Sequence, residues 1–184
     1  DLQHQELACQ GRQPRVVDVR ELRPRELAAR GGKGRVRRLV LDGESIDCDL
    51  VVASGGRQPA YSLLAQAGAR IDFDPELGVF VPTELPAGVE AVGSVTGEGL
   101  GKIDPEPAYA GGGKCFVCVC EDVTTKDMKR AVAEGFDSIE LAKRYTTSTM
   151  GPCQGKLCHL PSIRLYAQEN RMYEAAIGTT TARP

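Results

Sequence analysis

Residues 35–57 read RVRRLVLDGESIDCDLVVASGGR, and this stretch decides the fold class. Arg35 to Leu41 alternates charged and apolar side chains, the two-residue period of a half-buried strand, and Asp42-Gly43 then supplies the two left-handed positions of a type I′ turn. A returning strand is expected over Glu44 to Cys48. The next five residues, Asp49-Leu50-Val51-Val52-Ala53, form a short apolar run that ends in Ser54-Gly55-Gly56-Arg57. A buried parallel strand reads this way where it reaches its carboxyl end, which is where open α/β sheets bind ligands.

Working outward, Arg15 to Val19 (RVVDV) is β-rich, Tyr61 to Gly68 predicts a short helix closed by Gly68, and Gly78 to Pro82 predicts a strand ended by Pro82. Gly88 to Ser94 (GVEAVGS) is a last apolar strand running into glycine. From Gly97 to Gly113 the composition turns to Gly, Pro and acidic residues, as at a domain boundary. Helical signals take over beyond it. Thr124-x-x-Asp127 has the form of a capping box with Gly135 closing the helix, and Asp137-x-x-Glu140 opens a second helix. A third is expected over 155–170 after the Gly151-Pro152 break. The predicted class is α/β: part of a Rossmann-like dinucleotide-binding domain over 1–107, a small, mainly helical cysteine-bearing domain over 108–172, and a linker over 173–184.

Charge is blocked along the chain. Residues 11–38 hold ten basic and three acidic residues, whereas 39–108 hold three basic and twelve acidic, and the two nearly cancel in a net charge of −2. The arginines are interleaved with Val, Leu and Pro and have no aromatic platform, which argues against nucleic-acid binding. No apolar run approaches the roughly 18 residues of a membrane span and no signal-peptide pattern is present. With a mean hydropathy of −0.25, a soluble, cytoplasmic chain is expected.

Seven cysteines stand at 9, 48, 115, 118, 120, 153 and 158. Five fall in the last seventy residues, a clustering that suits metal or redox chemistry better than a disulfide framework. Cys118 and Cys120 leave the same face of an extended segment, with Cys115 on the other. Cys153 and Cys158 would be about 140° out of phase on one continuous helix, so they converge only if Cys153 lies in the turn before it. Four thiolates gathered at a helix N-terminus match a [2Fe–2S] cluster, which needs converging sulfurs and sulfur-directed N–H donors. Zinc remains open through the two-residue spacing of Cys115 and Cys118, as does a metal-free thiol cluster. Cys9 and Cys48 read as buried bystanders and His159 as helix surface. No Ser–His or His–carboxylate grouping marks a catalytic base.

The segments Cys118 to Thr124, Lys143 to Thr147 and Met150 to Cys158 (MGPCQGKLC) resemble the cysteine-bearing domain of the sarcosine oxidase α-subunit family, itself similar to the [2Fe–2S] module of bacterioferritin-associated ferredoxin. The resemblance implies Cys118, Cys120, Cys153 and Cys158 as the cluster ligands. Residues 35–97 resemble the C-terminal part of a pyridine-nucleotide and flavin oxidoreductase domain, with the strand into Ala53 to Pro59 as its crossover strand. The implied dinucleotide contacts are Gly55, Gly56, Gly93 and Ser94, toward NAD or FAD. Ser94 stands where the flavin-binding relatives commonly carry Asp, which suits an NAD-associated domain. By the same resemblance the chain is the middle of a longer subunit, with a fingerprint glycine loop upstream and a folate-binding domain downstream. It would work in a hetero-oligomeric oxidase beside a flavin-carrying β subunit, on a small amine such as sarcosine. An opine or cyanogenic glycine dehydrogenase, and a non-redox metal-binding docking module, are the alternatives.

Overall fold

The computed structural model describes residues 14–18, 26–53, 57–101 and 114–181. They fall into two compact units, one of described residues up to Ala53 and one of described residues from Arg57 onward. The architecture is mixed α/β, with strands prevailing among the described residues up to Glu84 and helices from Thr125 onward.

In the first unit β1 (Leu27–Gly32), β2 (Arg35–Leu41) and β3 (Glu44–Asp47) form an antiparallel meander in the order β1-β2-β3. The β2–β3 turn is the expected one: Asp42 and Gly43 have φ of 46° and 87°, the left-handed pair that matches strand twist. The Asp42 carboxylate also accepts from the Glu26 N–H at 2.8 Å, pinning the start of β1. A second turn of the same kind at Lys33-Gly34 (φ 54° and 73°) adds β1, a strand that no apolar pattern announces. Where the register shifts between Arg30 and Gly31, a Cβ on Gly31 would lie 2.0 Å from the Arg35 carbonyl oxygen, so only glycine fits the bulge.

Two strand expectations fail in this unit. Residues 14–18 are not in a strand, and residues 49–53 join no ladder among the described residues, leaving Leu50, Val51 and Val52 at 47%, 40% and 50% exposure. A parallel strand is held by its neighbours, whereas every described ladder here is an antiparallel hairpin.

The second unit begins with α1 (Ser62–Gln66), closed by Gly68 at φ 98° as expected, and the hairpin of β4 (Arg70–Asp74) and β5 (Val79–Glu84). Asp74 organises its turn by accepting from the N–H groups of Glu76 and Leu77 at 2.8 and 3.0 Å. Pro82 does not end β5: it sits opposite Ile71 where the register shifts, a place that tolerates a residue without an N–H. Gly88 to Ser94 forms no strand. Val92 is 82% exposed, and the chain goes straight into a 3₁₀ turn at Gly93–Thr96.

The short hairpin of β6 (Phe116–Cys118) and β7 (Val123–Thr124) then leads into the helices α2 (Thr125–Ala133), α3 (Ile139–Thr146), α4 (His159–Asn170) and α5 (Glu174–Ile177). The expected capping box is complete: the Thr124 hydroxyl accepts from the Asp127 N–H, and the Asp127 carboxylate accepts from the Thr124 N–H at 2.8 Å. The far end closes on Gly135 through Gly135 N–H to Val132 O and Phe136 N–H to Ala131 O, a Schellman pair. Helix α3 is capped by Ser138, one residue later than expected. Helix α4 starts at His159 and not at Gly155, because residues 152–158 wind through turns; Pro161 falls in its first turn, where no N–H partner is needed.

Met128, Ala131, Ile139, Ala142, Ile163 and Tyr166 form the core of this unit together with Val79 and Phe80. Arg164 on α4 donates to the Gly78 carbonyl at 2.8 Å, tying that helix to the β4–β5 turn. No helix among the described residues is long and apolar enough to cross a membrane.

The box yields a first prediction. Thr124→Ala should lower unfolding stability by about 1 kcal/mol in urea denaturation at neutral pH. The hydrogen bonds from Thr124 hold the Asp127 carboxyl below its ordinary 3.8. The wild-type advantage should therefore be complete above about pH 4 and fade as the pH falls below it.

Candidate metal centre

Two short segments carry the sulfurs. Cys118 ends β6 with its side chain 1% exposed, and the turn that follows, bent at Asp122 (φ 54°), brings Cys120 to the surface. Facing it, the loop between α3 and α4 changes direction through Thr147, Thr149, Gln154 and Gly155, all with positive φ. Gln154 holds the loop on itself, its N–H and its side-chain amide both donating to the Gly151 carbonyl at 2.8 and 3.0 Å. Cys153 lies in the turn and Cys158 caps α4, the arrangement their spacing demanded.

The two segments press together at Gly151. A Cβ there would stand 2.6 Å from Cys120 Cβ and 2.8 Å from Glu121 Oε1, so glycine is what lets the Cys120 turn close on the loop. Gly151→Ala should push the Cys120 thiol off Cys153 and weaken metal uptake about 10-fold or more, read by competition with a chelator.

The four thiols meet as two pairs. Cys120 hydrogen-bonds Cys153, Cys118 hydrogen-bonds Cys158, and the pairs feel each other's charge. Burial would raise the Cys153 thiol, but the N–H groups of Leu157, Gly155 and Lys156 and the Cys120 thiol outweigh it and hold Cys153 below its ordinary value. The bond to Cys153 lifts Cys120. Burial, with Cys118 alongside, pushes Cys158 up to about 12, although the Thr149 N–H works against it. Cys153 is thus lowered where Cys120 and Cys158 are raised, caged in donors that favour a thiolate.

Among the described residues no group of three or more His, Cys, Asp or Glu side chains is already arranged to hold a metal ion. Four converging thiols with N–H donors are the donor set that a [2Fe–2S] cluster or a four-cysteine zinc site requires. Cys115 lines a separate shallow hollow with Lys114, Asp122 and Asp127, and its carbonyl accepts from the Thr125 N–H. Gly93 and Ser94 lie exposed in the 3₁₀ turn, where the Thr96 hydroxyl donates to the Gly93 carbonyl. Gly55, Gly56 and Cys9 lie outside the described residues.

His159 corrects the expectation of a helix-surface residue. Its Nε2 accepts from the Thr180 N–H at 3.3 Å, so Nδ1 carries the hydrogen and donates to the Tyr61 hydroxyl at 3.1 Å. Burial lowers the imidazole to about 4, keeping it neutral. The chain beyond α5 is fastened nearby: the Thr181 N–H donates to Glu140 at 3.1 Å, and the buried Lys143 ammonium donates to the Thr181 carbonyl at 3.0 Å. The partners of His159 lie 98 and 21 positions away, beyond the reach of any local pattern.

Residues 112–184 match the sarcosine oxidase A3 domain. This segment belongs to that family. Over 77% of its length the chain is 30% identical to the α subunit of sarcosine oxidase from Rhizobium meliloti (strain 1021), and spans 18% of that relative. A shorter match, 31% identical, covers 36% of the chain and 13% of an opine oxidase subunit from Rhizobium meliloti. The chain thus spans about a fifth or less of the curated relatives it matches, which are subunits of oxidoreductases. In fold it is similar to the crystal structure of L-proline dehydrogenase from P. horikoshii, with a TM-score of 0.71 at 18% identity over 85% of this chain and 41% of that one. The A3 domain contains all four paired cysteines.

Proposed function

We propose that the chain is part of the α subunit of a multisubunit amine oxidoreductase resembling sarcosine oxidase, in which Cys118, Cys120, Cys153 and Cys158 hold a [2Fe–2S] cluster. When bound, such a cluster takes up and passes on single electrons. The residues of the chain hold it: the sulfurs in two pairs, the N–H groups of Gly155, Lys156 and Leu157 on Cys153, and that of Thr149 on Cys158. The single observation that carries the reading is this paired, donor-lined set of thiols. The strand-rich part would contribute contacts from Gly55, Gly56, Gly93 and Ser94 to NAD or FAD, beside a flavin-carrying partner subunit, in the cytoplasm. The substrate is a small secondary amine such as sarcosine, oxidised to an imine at the flavin. A second reading, an opine-oxidising subunit, is favoured by the match to the opine oxidase of Rhizobium meliloti.

Anaerobic reconstitution of the 184-residue chain with ferrous iron and sulfide tests the first part. About two iron and two acid-labile sulfide per chain, with an EPR signal on reduction, is the expected result. Stoichiometric zinc with no iron after the same treatment would make the domain a structural docking module. For the full complex, turnover with sarcosine against an opine separates the two substrates.

A further inference from the structure

In the run Thr146-Thr147-Ser148-Thr149, three hydroxyls have partners. The Thr146 hydroxyl donates to the Ala142 carbonyl at 2.7 Å, the Thr147 hydroxyl to the Thr146 carbonyl at 2.6 Å, and Ser148 Oγ lies 3.1 Å from Thr146 Oγ1. Thr149 differs. Its residue is only 7% exposed, yet its Oγ1 is buried with no hydrogen-bond partner among the described residues. It is also β-branched and left-handed, at φ 64°, a conformation such residues avoid. Two unfavourable features thus coincide on one side chain, and strain of this kind persists where the surrounding structure enforces it, often at functional sites.

The surroundings say what is enforced. The Thr149 main-chain N–H donates to Cys158. Its side chain packs so closely over Gly155 that a Cβ there would lie 3.1 Å from Thr149 Cβ, and the Gly155 N–H in turn donates to Cys153. The left-handed turn at Thr149 therefore fixes one N–H on each sulfur pair, directly at Cys158 and through Gly155 at Cys153. A thiol sulfur is a weak acceptor, whereas a metal-bound thiolate is a strong one.

We propose that Thr149 is a positioning residue of the sulfur centre: its backbone aims the N–H at Cys158, and its hydroxyl, idle in the thiol form, donates to a sulfur of the loaded centre. This rests on the reading of the four cysteines as cluster ligands. The thiol form bears the desolvation of an idle hydroxyl, and the loaded form makes use of it.

Thr149→Val, nearly isosteric, and Thr149→Ser, which keeps the hydroxyl, test this in the full chain. In the metal-free protein Thr149→Val should leave the Tm unchanged or raise it, since nothing is paired there. After iron and sulfide reconstitution the same variant should shift the midpoint reduction potential to more negative values, because a hydrogen bond to sulfur favours the reduced cluster. Thr149→Ser should restore the wild-type potential. A merely structural threonine would lower the metal-free Tm and leave the potential in place, and either result overturns the proposal. So does a Thr149→Ser potential displaced as far as that of Thr149→Val. A wild-type chain that takes up no iron and sulfide overturns the ligand reading itself, and this proposal with it; a loaded wild type with an unchanged Thr149→Val potential overturns the proposal alone.

Discussion

Cys120→Ser and Cys153→Ser should each abolish the iron signal of the reconstituted chain, while Cys115→Ser leaves it intact. The contrast follows from the pairing. Cys120 and Cys153 hydrogen-bond each other and Cys118 pairs with Cys158, whereas Cys115 lines a different hollow. Serine keeps the shape of the side chain but offers a hydroxyl that does not ionise near neutral pH, so on the proposed assignment the iron would lose a ligand. Changes one shell farther out already cost about 10–100-fold in metal affinity, and loss of a direct ligand should exceed that. Loss of the signal in Cys115→Ser, or its survival in Cys120→Ser, would assign the wrong sulfurs; metal analysis and EPR on the three variants decide it.

The second large effect is a pH dependence of stability centred on His159. Burial depresses its folded-state value from 6.5 to about 4, so the unfolded chain takes up the proton first. The stabilisation is complete above about pH 6.5, is lost as the pH falls from there toward 4, and changes no further below. Its size is at most about 3.5 kcal/mol, since each tenfold change in proton affinity is worth about 1.4 kcal/mol. Urea midpoints of the metal-free chain between pH 7.5 and 4.5 should fall accordingly. In His159→Gln, which cannot titrate, the curve should flatten over that window. The depressed carboxylates Asp72, Asp127, Glu134 and Glu140 act at lower pH, so they do not mimic the slope. An unchanged slope in His159→Gln would place the titrating group elsewhere.

What can be read from the sequence is what local chemistry dictates. Asp42-Gly43 specifies its turn, Thr124 and Asp127 cap each other, and the offset of Cys153 from Cys158 requires a turn before α4; each appears in the structure. The failures share a different cause. Leu50 to Ala53 and Gly88 to Ser94 are apolar enough for strands, but a strand exists only by pairing, and their composition does not say whether a neighbour is in place. Strands β1 and β4 escape the sequence for the converse reason: LAARGG and RIDFD look weak alone and are held by the hairpin partner. His159 reads as surface in the sequence because its burial is made by Tyr61 and Thr180, both remote along the chain. The pairing of the sulfurs, as opposed to their number, likewise emerges only with the tertiary fold.

That pairing has a consequence for the order of assembly. Cys118 joins Cys158 and Cys120 joins Cys153, so the two connections are nested, the inner loop enclosed by the outer. A metal bridging them would act as a double rivet across α2 and α3, removing from the unfolded chain most of the freedom of the segment between. Closing that segment in a disordered chain costs entropy, and helices that already gather the sulfurs reduce the cost before a metal binds. Once riveted, the chain can unfold there only by releasing its metal, and the rate of metal loss would then set the lifetime of the fold.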